Sequence, residues 1–300
     1  MEQVNALVVT FNRLEKLKTV VASIEAQTLA PARLIIVDNA STDGTGAYLR
    51  DLVTTIPLEI VTLPTNTGGA GGFSAGMERG FQRGADFVWI MDDDCYPNPD
   101  ALEKLHVGFV GAVAELGGDV PFACSLVKYV DGTLCEMNNP ETTWDWARLI
   151  SKGQHSVMVK SCSFVSVLIP RWVIEKHGLP YSEYFIWFDD HEYTLRVTAV
   201  CPGVQVLDSI AVHDMGDNKG VNFGLIDDAN AWKFAYGIRN EGSFRLHHQS
   251  VYAFLLLCAR VVLMMRRGRV KPALRRRMYG RLLKAVTFNP AVVFPRTLTD

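Results

Sequence analysis

Three hundred residues, 48% of them hydrophobic and 21% charged, exclude a disordered or fibrous chain and suffice for one large domain or two small ones. The net charge of −2 hides an asymmetry, because residues 251–300 hold eleven Lys and Arg against one acid, Asp300. An acidic body with a basic tail is expected to meet an anionic surface such as a membrane, and no nucleic-acid partner is expected.

Val4–Thr10 is apolar and β-branched, and Arg13–Gln27 spaces Leu14, Leu17, Val21 and Ile24 as a helix does. Leu34–Val37 is a buried-strand run ending at Asp38. A helix over Gly44–Leu52 and a strand over Leu58–Leu63 follow. A glycine-rich turn leads to a helix near Phe73–Arg83, and Phe87–Met91 is again a strand. This alternation predicts parallel βαβ units, whose ligands sit at the carboxyl ends of the strands. From 120 to 215 the pattern is mixed, with strands at Phe122–Val127 and Val157–Ile169 and a short helix after Pro170. Beyond 228 it is helical.

The six cysteines, at 95, 124, 135, 162, 201 and 258, form no CxxC pair. Neither a zinc site nor a disulfide framework is signalled, and a reducing cytoplasm fits. The start lacks a charged stretch followed by an apolar one, so no signal peptide is expected. The longest apolar run, Val251–Met265, contains Arg260 and falls short of the roughly 20 residues of a spanning helix.

Polar residues cluster at the predicted strand ends: Thr10-Phe11-Asn12-Arg13, Asp38-Asn39, Asn66 to Gly72, and Asp92-Asp93-Asp94. Three adjacent carboxylates repel one another, and a divalent cation with its preference for oxygen ligands resolves the conflict. In extended chain Asp92 and Asp94 share a face and Asp93 points oppositely, toward something such as a sugar hydroxyl. Read alone, the triplet could also be an acidic loop before the next helix. Asn66-Thr67-Gly68-Gly69-Ala70-Gly71-Gly72-Phe73 allows close backbone approach, yet it is neither a dinucleotide fingerprint nor a P-loop. A flexible hinge is its other reading. Trp187-Phe188-Asp189-Asp190-His191-Glu192 sets carboxylates beside aromatic rings, which suits a general base of raised pKa, while one of the paired acids is expected to cap a helix. His213, after a strand-like run, reads by itself as a structural histidine.

Together these segments resemble the inverting, metal-dependent family 2 glycosyltransferases of GT-A fold, over residues 4–240. The markers are TFNR at 10–13, VDNASTDGT at 37–45, NTGGAGGF at 66–73, MDDD at 91–94, and the acids at 189–190 with a later histidine. The glycine-rich segment with DDD is most similar to bacterial galactofuranosyltransferases. Two departures stand out: Phe188 intervenes between Trp187 and the paired acids, and the mycobacterial members are expected to be far longer. The resemblance implies an α/β fold with a Rossmann-like mixed sheet in residues 1–245 and a helical, basic segment in 246–300. It implies Mn²⁺ or Mg²⁺ on Asp92, Asp94 and His213, and Asp190 as the catalytic base. The donor would lie against Thr10, Phe11, Arg13, Asp38, Asn39, Asn66, Gly69, Asp92 and Asp93. The implied donor is UDP-galactofuranose and the acceptor a lipid-linked saccharide of a bacterial surface glycan. Alternatives are a rhamnosyl- or hexosyltransferase using a dTDP- or UDP-sugar, and a non-catalytic glycan- or nucleotide-binding protein.

In the tail, Leu274, Met278, Leu282, Ala285 and Val286 recur at helical spacing, with Arg276, Arg277, Arg281 and Lys284 opposite. Such a helix is expected to lie apolar face down on the cytoplasmic side of a membrane, as a peripheral contact. The competing reading packs Val251–Met265 on the catalytic domain or on another subunit.

Overall fold

The computed structural model describes residues 2–297. The chain runs through β1 (Val4–Thr10), α1 (Leu14–Glu25), β2 (Arg33–Asp38), α2 (Thr45–Asp51), β3 (Leu58–Thr62), α3 (Gly68–Gln82), β4 (Phe87–Asp92), β5 (Cys95–Pro97) and α4 (Ala101–Leu116). It continues through β6 (Ala123–Tyr129), β7 (Glu141–Thr142), β8 (Ser156–Ser161), β9 (Val167–Pro170), α5 (Arg171–His177), α6 (Asp189–Val197) and β10 (Gly203–His213). Three helices end it: α7 (Ala231–Phe244), α8 (Val251–Arg267) and α9 (Pro272–Ala285).

One mixed sheet has the order β3-β2-β1-β4-β9-β6-β10-β8-β7, with β5 paired to β10. Strands β3, β2, β1 and β4 are parallel, as the alternation predicts, and Thr10 pairs with Asp38 and Val9 with Asp92 in register. Four predicted polar clusters therefore meet along one sheet edge. Alternate residues feed two cores: Ala6 and Val8 pack with Leu17, Leu49 and Leu105 of α1, α2 and α4, while Leu7 and Val9 pack with Phe73 and Met77 of α3. Each fully buried aliphatic side chain contributes about 1.5–3 kcal/mol, so the faces are strongly specified.

The glycine-rich segment is not a turn preceding a helix. It is the first two turns of α3, which begins at Gly68. Gly72, Gly76 and Gly80 form a stripe against Val9, Leu7 and Val88, and a methyl on Gly80 would come within 2.8 Å of Val88. Absence of side chains lets the helix lie directly on β1 and β4. The single strand expected over Val157–Ile169 is divided into β8 and β9, with Ser166 between them at φ 58°.

The apolar face of α9 also differs from expectation. Leu274, Met278, Leu282 and Ala285 are buried, and the first three pack with Phe234 and Ile238 of α7 and Leu257 and Val261 of α8. That face is sealed in protein and offers nothing to lipid; Val286 is exposed. Residues on both sides of position 245 share this helical core. Among the described residues no helix is long and apolar enough to cross a membrane.

Candidate active site

A cavity of about 890 Å³ opens over the carboxyl ends of β1 and β4. Asp92 closes β4, but Asp93 and Asp94 lie in the turn before β5, so strand alternation does not set their directions. That turn and the end of β10 nevertheless bring Asp92, Asp94 and His213 together, each offering one ligand atom within 4.8 Å of the others.

His213 Nε2 stands 3.2 Å from an Asp94 oxygen. Its Nδ1 lies 2.8 Å from Asn138 Oδ1, while Asn138 Nδ2 donates to Ser163 at 2.6 Å. With the amide so oriented, Nδ1–H donates to Asn138 and Nε2 faces the carboxylates. Held this way by Asn138, Nε2 donates to Asp94 when it carries a proton and is free to take a cation together with Asp92 and Asp94 when it does not. Two carboxylate donors and one imidazole fit Mn²⁺ or Mg²⁺.

The charges support this. Burial, then the charges of Asp94 and Asp93, push Asp92 well above the ordinary carboxylate range. Burial also works to raise Asp94, but the His213 contact, Arg13 and Lys16 outweigh it and hold Asp94 low. Asp93 is raised by burial against the pull of Arg13. It accepts from the Thr10 hydroxyl at 2.8 Å and from Arg13 at 3.1 Å. Both its oxygens are engaged within the protein, so it anchors the 10–13 loop rather than standing free for a sugar hydroxyl.

Thr10, Phe11, Arg13, Asn39, Asn66 and Gly69 line the cavity. Asp38 does not; it is buried and accepts from Ser41 N–H at 3.0 Å. Asn39 bridges to Thr67 N–H at 2.8 Å and to Gly68 carbonyl at 2.8 Å, and so sets the start of α3.

Asp189 and Asp190 face the same cavity. Neither is the cap expected of one of them: Phe188, at φ 75°, occupies the N-cap of α6. Burial raises Asp190, opposed by the His191 N–H it accepts at 2.7 Å. Burial, then the Asp190 charge, lifts Asp189 further.

The loop before these acids is strained, with Phe185, Trp187 and Phe188 all at positive φ. Asn240 of α7, fully buried, holds it by donating to the carbonyls of Tyr184 at 2.9 Å, Ile186 at 3.2 Å and Trp187 at 2.8 Å. Gly68 lies beneath the Phe185 carbonyl where a Cβ would overlap it, and Ala70 N–H donates to that carbonyl at 3.2 Å. Asn138 and Asn240 were not anticipated. The signal for Asn240 was present: an amide among Phe234, Ala235 and Ile238 on an apolar helix face.

The mixed sheet flanked by helices is of the GT-A fold, as the solved structures it superposes on show. Staphylococcus aureus TarS, residues 1–349, superposes with a TM-score of 0.56 at 16% identity, covering 95% of this chain and 81% of that one. GalNAc-T7, solved with UDP, GalNAc and Mn²⁺, gives 0.59 at 12% identity, over 94% and 54% of the two chains. By sequence, residues 6–111 match the model of glycosyl transferase family 2. Galactofuranosyltransferase GlfT1 of Mycobacterium tuberculosis is 44% identical over 96 residues, which are 31% of each chain. GlfT1 of Mycolicibacterium smegmatis is 41% identical over 129 residues, 42% of this chain and 40% of that one. The match thus spans well under half the length of these relatives. They are also of this chain's own length, not far longer as expected.

Proposed function

We propose that the protein transfers a glycosyl group, with inversion, from a UDP-sugar to a hydroxyl of a lipid-linked saccharide. The donor we favour is UDP-galactofuranose, on the likeness to GlfT1. The observation that carries the reading is one cavity holding both the Asp92–Asp94–His213 cluster and the half-buried Asp190, whose surroundings raise its pKa. Asp92, Asp94 and His213 would hold Mn²⁺ or Mg²⁺, which when bound stabilises charge on a departing diphosphate. The nucleoside lies against Thr10, Phe11 and Asn39, with Arg13 anchored by Asp93. Asp190 takes the proton of the acceptor hydroxyl as its oxygen attacks the anomeric carbon and the nucleotide departs. Such a base contributes about 10²–10⁴-fold.

A panel of nucleotide sugars assayed for nucleotide release with and without Mn²⁺ tests the proposal. UDP-galactofuranose should exceed UDP-galactopyranose, and Asp94→Ala should abolish both release and the metal-dependent part of UDP binding. Efficient transfer from dTDP-rhamnose would reject the donor, and metal-independent binding by wild type would reject the metal site.

The membrane contact we assign to α8 instead of α9. Tyr252, Leu255, Leu256 and Leu263 lie exposed along one side of α8, and Arg266, Arg267, Arg269 and Lys271 follow. An apolar stripe beside basic residues suits an anionic membrane surface. Full-length protein should float with anionic vesicles at low salt, and Leu255→Asn/Leu256→Asn should not. Equal flotation of the two would reject α8 as the contact.

A further inference from the structure

The cavity is bipolar. Its strand-end wall carries the carboxylates, whereas the facing wall, built by α7 and α9, carries Trp232, Lys233, Tyr236, Arg277 and Arg281. The sequence places Arg277 and Arg281 one turn apart on α9, where (i, i+4) side chains share a face. Their neighbours Leu274, Met278 and Leu282 are packed inward, which tips the two arginines over the cavity rim. Arg281 is half-buried, and no carboxylate or other side-chain hydrogen-bond partner engages Arg277, Arg281 or Lys233 among the described residues. Lys233 lies 5.5 Å from the Trp232 ring centre. Arg239 is close by as well: burial, and then the nearby Arg281 charge, disfavour its charged form. Cations gathered at a cavity without counter-charges are placed for an anionic ligand, and guanidinium forks match phosphate oxygens.

We propose that Arg277 and Arg281, with Lys233, form an anion subsite for the phosphate or diphosphate ester that ties the acceptor saccharide to its carrier. This rests on the glycosyl-transfer reading above. The donor's diphosphate belongs to the opposite wall, with Asp92, Asp94, His213, Arg13 and Lys16. On the α7 side of the cavity, Phe185 and Tyr236 stack at 4.8 Å and 19°, an aromatic pair against which the apolar face of a sugar can lie. An acceptor lying there sets its phosphate on the arginines and reaches Asp190 with its far hydroxyl.

The test uses full-length wild type, Arg277→Gln/Arg281→Gln and Arg277→Lys/Arg281→Lys, each checked for folding by thermal melting. Trp187 and Trp232 line the cavity, so tryptophan fluorescence reports binding. Farnesyl diphosphate and inorganic pyrophosphate are titrated in EDTA, and UDP is titrated with Mn²⁺. Charge-assisted bonds to phosphate predict a loss of about tenfold or more for both diphosphates in the glutamine variant, with partial recovery in the lysine one. UDP affinity should stay within about twofold, as expected when the removed contacts lie on the other wall. Unchanged diphosphate binding, or none by wild type, overturns the subsite. A parallel fall in UDP affinity overturns the acceptor assignment and gives the arginines to the donor. Because the EDTA titrations involve no transfer, loss of diphosphate binding in a protein that turns over no nucleotide sugar would uphold the subsite while rejecting the reaction.

Discussion

Replacing Asn240 by leucine, which is close in volume, removes the donors that hold the 185–188 loop without opening a cavity. In the native protein the Nδ2 group serves three carbonyls, of Tyr184, Ile186 and Trp187. Leaving a buried acceptor unpaired costs about 1–3 kcal/mol; the Tyr184 carbonyl keeps its bond from Ile186 N–H, so the two other losses total about 2–6 kcal/mol. The loop also stores strain, since Phe185, Trp187 and Phe188 sit at positive φ, at about 1–3 kcal/mol each. The lost bonds and the stored strain are of similar size, so the loop should open locally while the sheet stays folded. A local change of 2 kcal/mol raises the open population about 30-fold. Hydrogen exchange should accelerate at amides 185–190 and remain native in β1, β2 and β4. Glycosyl transfer should fall by about tenfold or more, since the loop aims Asp190. Native exchange at 185–190 together with native activity would refute the reasoning.

Asn138→Ala frees the His213 tautomer and should weaken Mn²⁺ binding about 10–100-fold by titration, whereas Asn138→Asp, which keeps an acceptor, should not. Asp190→Asn should preserve UDP binding and reduce transfer by about two orders of magnitude or more, with Asp189→Asn doing less; the reverse ranking would move the base to Asp189. Because burial holds Asp190 above the ordinary carboxylate range, wild-type transfer should decline as pH falls through that raised value and the base becomes protonated. A flat acid limb would exclude Asp190 as the base. Gly76→Ala puts a methyl into Leu7 and should lower stability by about 1–3 kcal/mol in urea unfolding, with the metal affinity of the folded protein retained.

Hydrophobic period and strand-end chemistry determined much of this protein locally. The parallel strands β1 to β4, the helices between them and the placing of Asp92, Asn39 and Thr10 on one edge follow from alternation of apolar runs, because a buried strand and an amphipathic helix leave different periods. What the glycines at 68–80 do could not be read this way. Composition suggests a flexible turn, yet a helix pressed against Val9 and Leu7 needs the same residues, and only the packed partner decides between the two. The face of α9 shows the same limit. An apolar stripe at Leu274, Met278 and Leu282 is equally suited to lipid and to protein, and the tertiary arrangement gave it to α7 and α8. With that face turned inward, Arg277 and Arg281 meet the cavity, and Tyr252, Leu255 and Leu256 of α8 meet solvent. His213, Asn138 and Asn240 gain their meaning from neighbours 53 to 119 positions away in the chain, His213 beside Asp94 and Asn138, and Asn240 over the 185–188 loop. One chain records which residues are present, but the pairing of distant ones is set by sheet order and helix docking, where packing and hydrogen bonding are satisfied together.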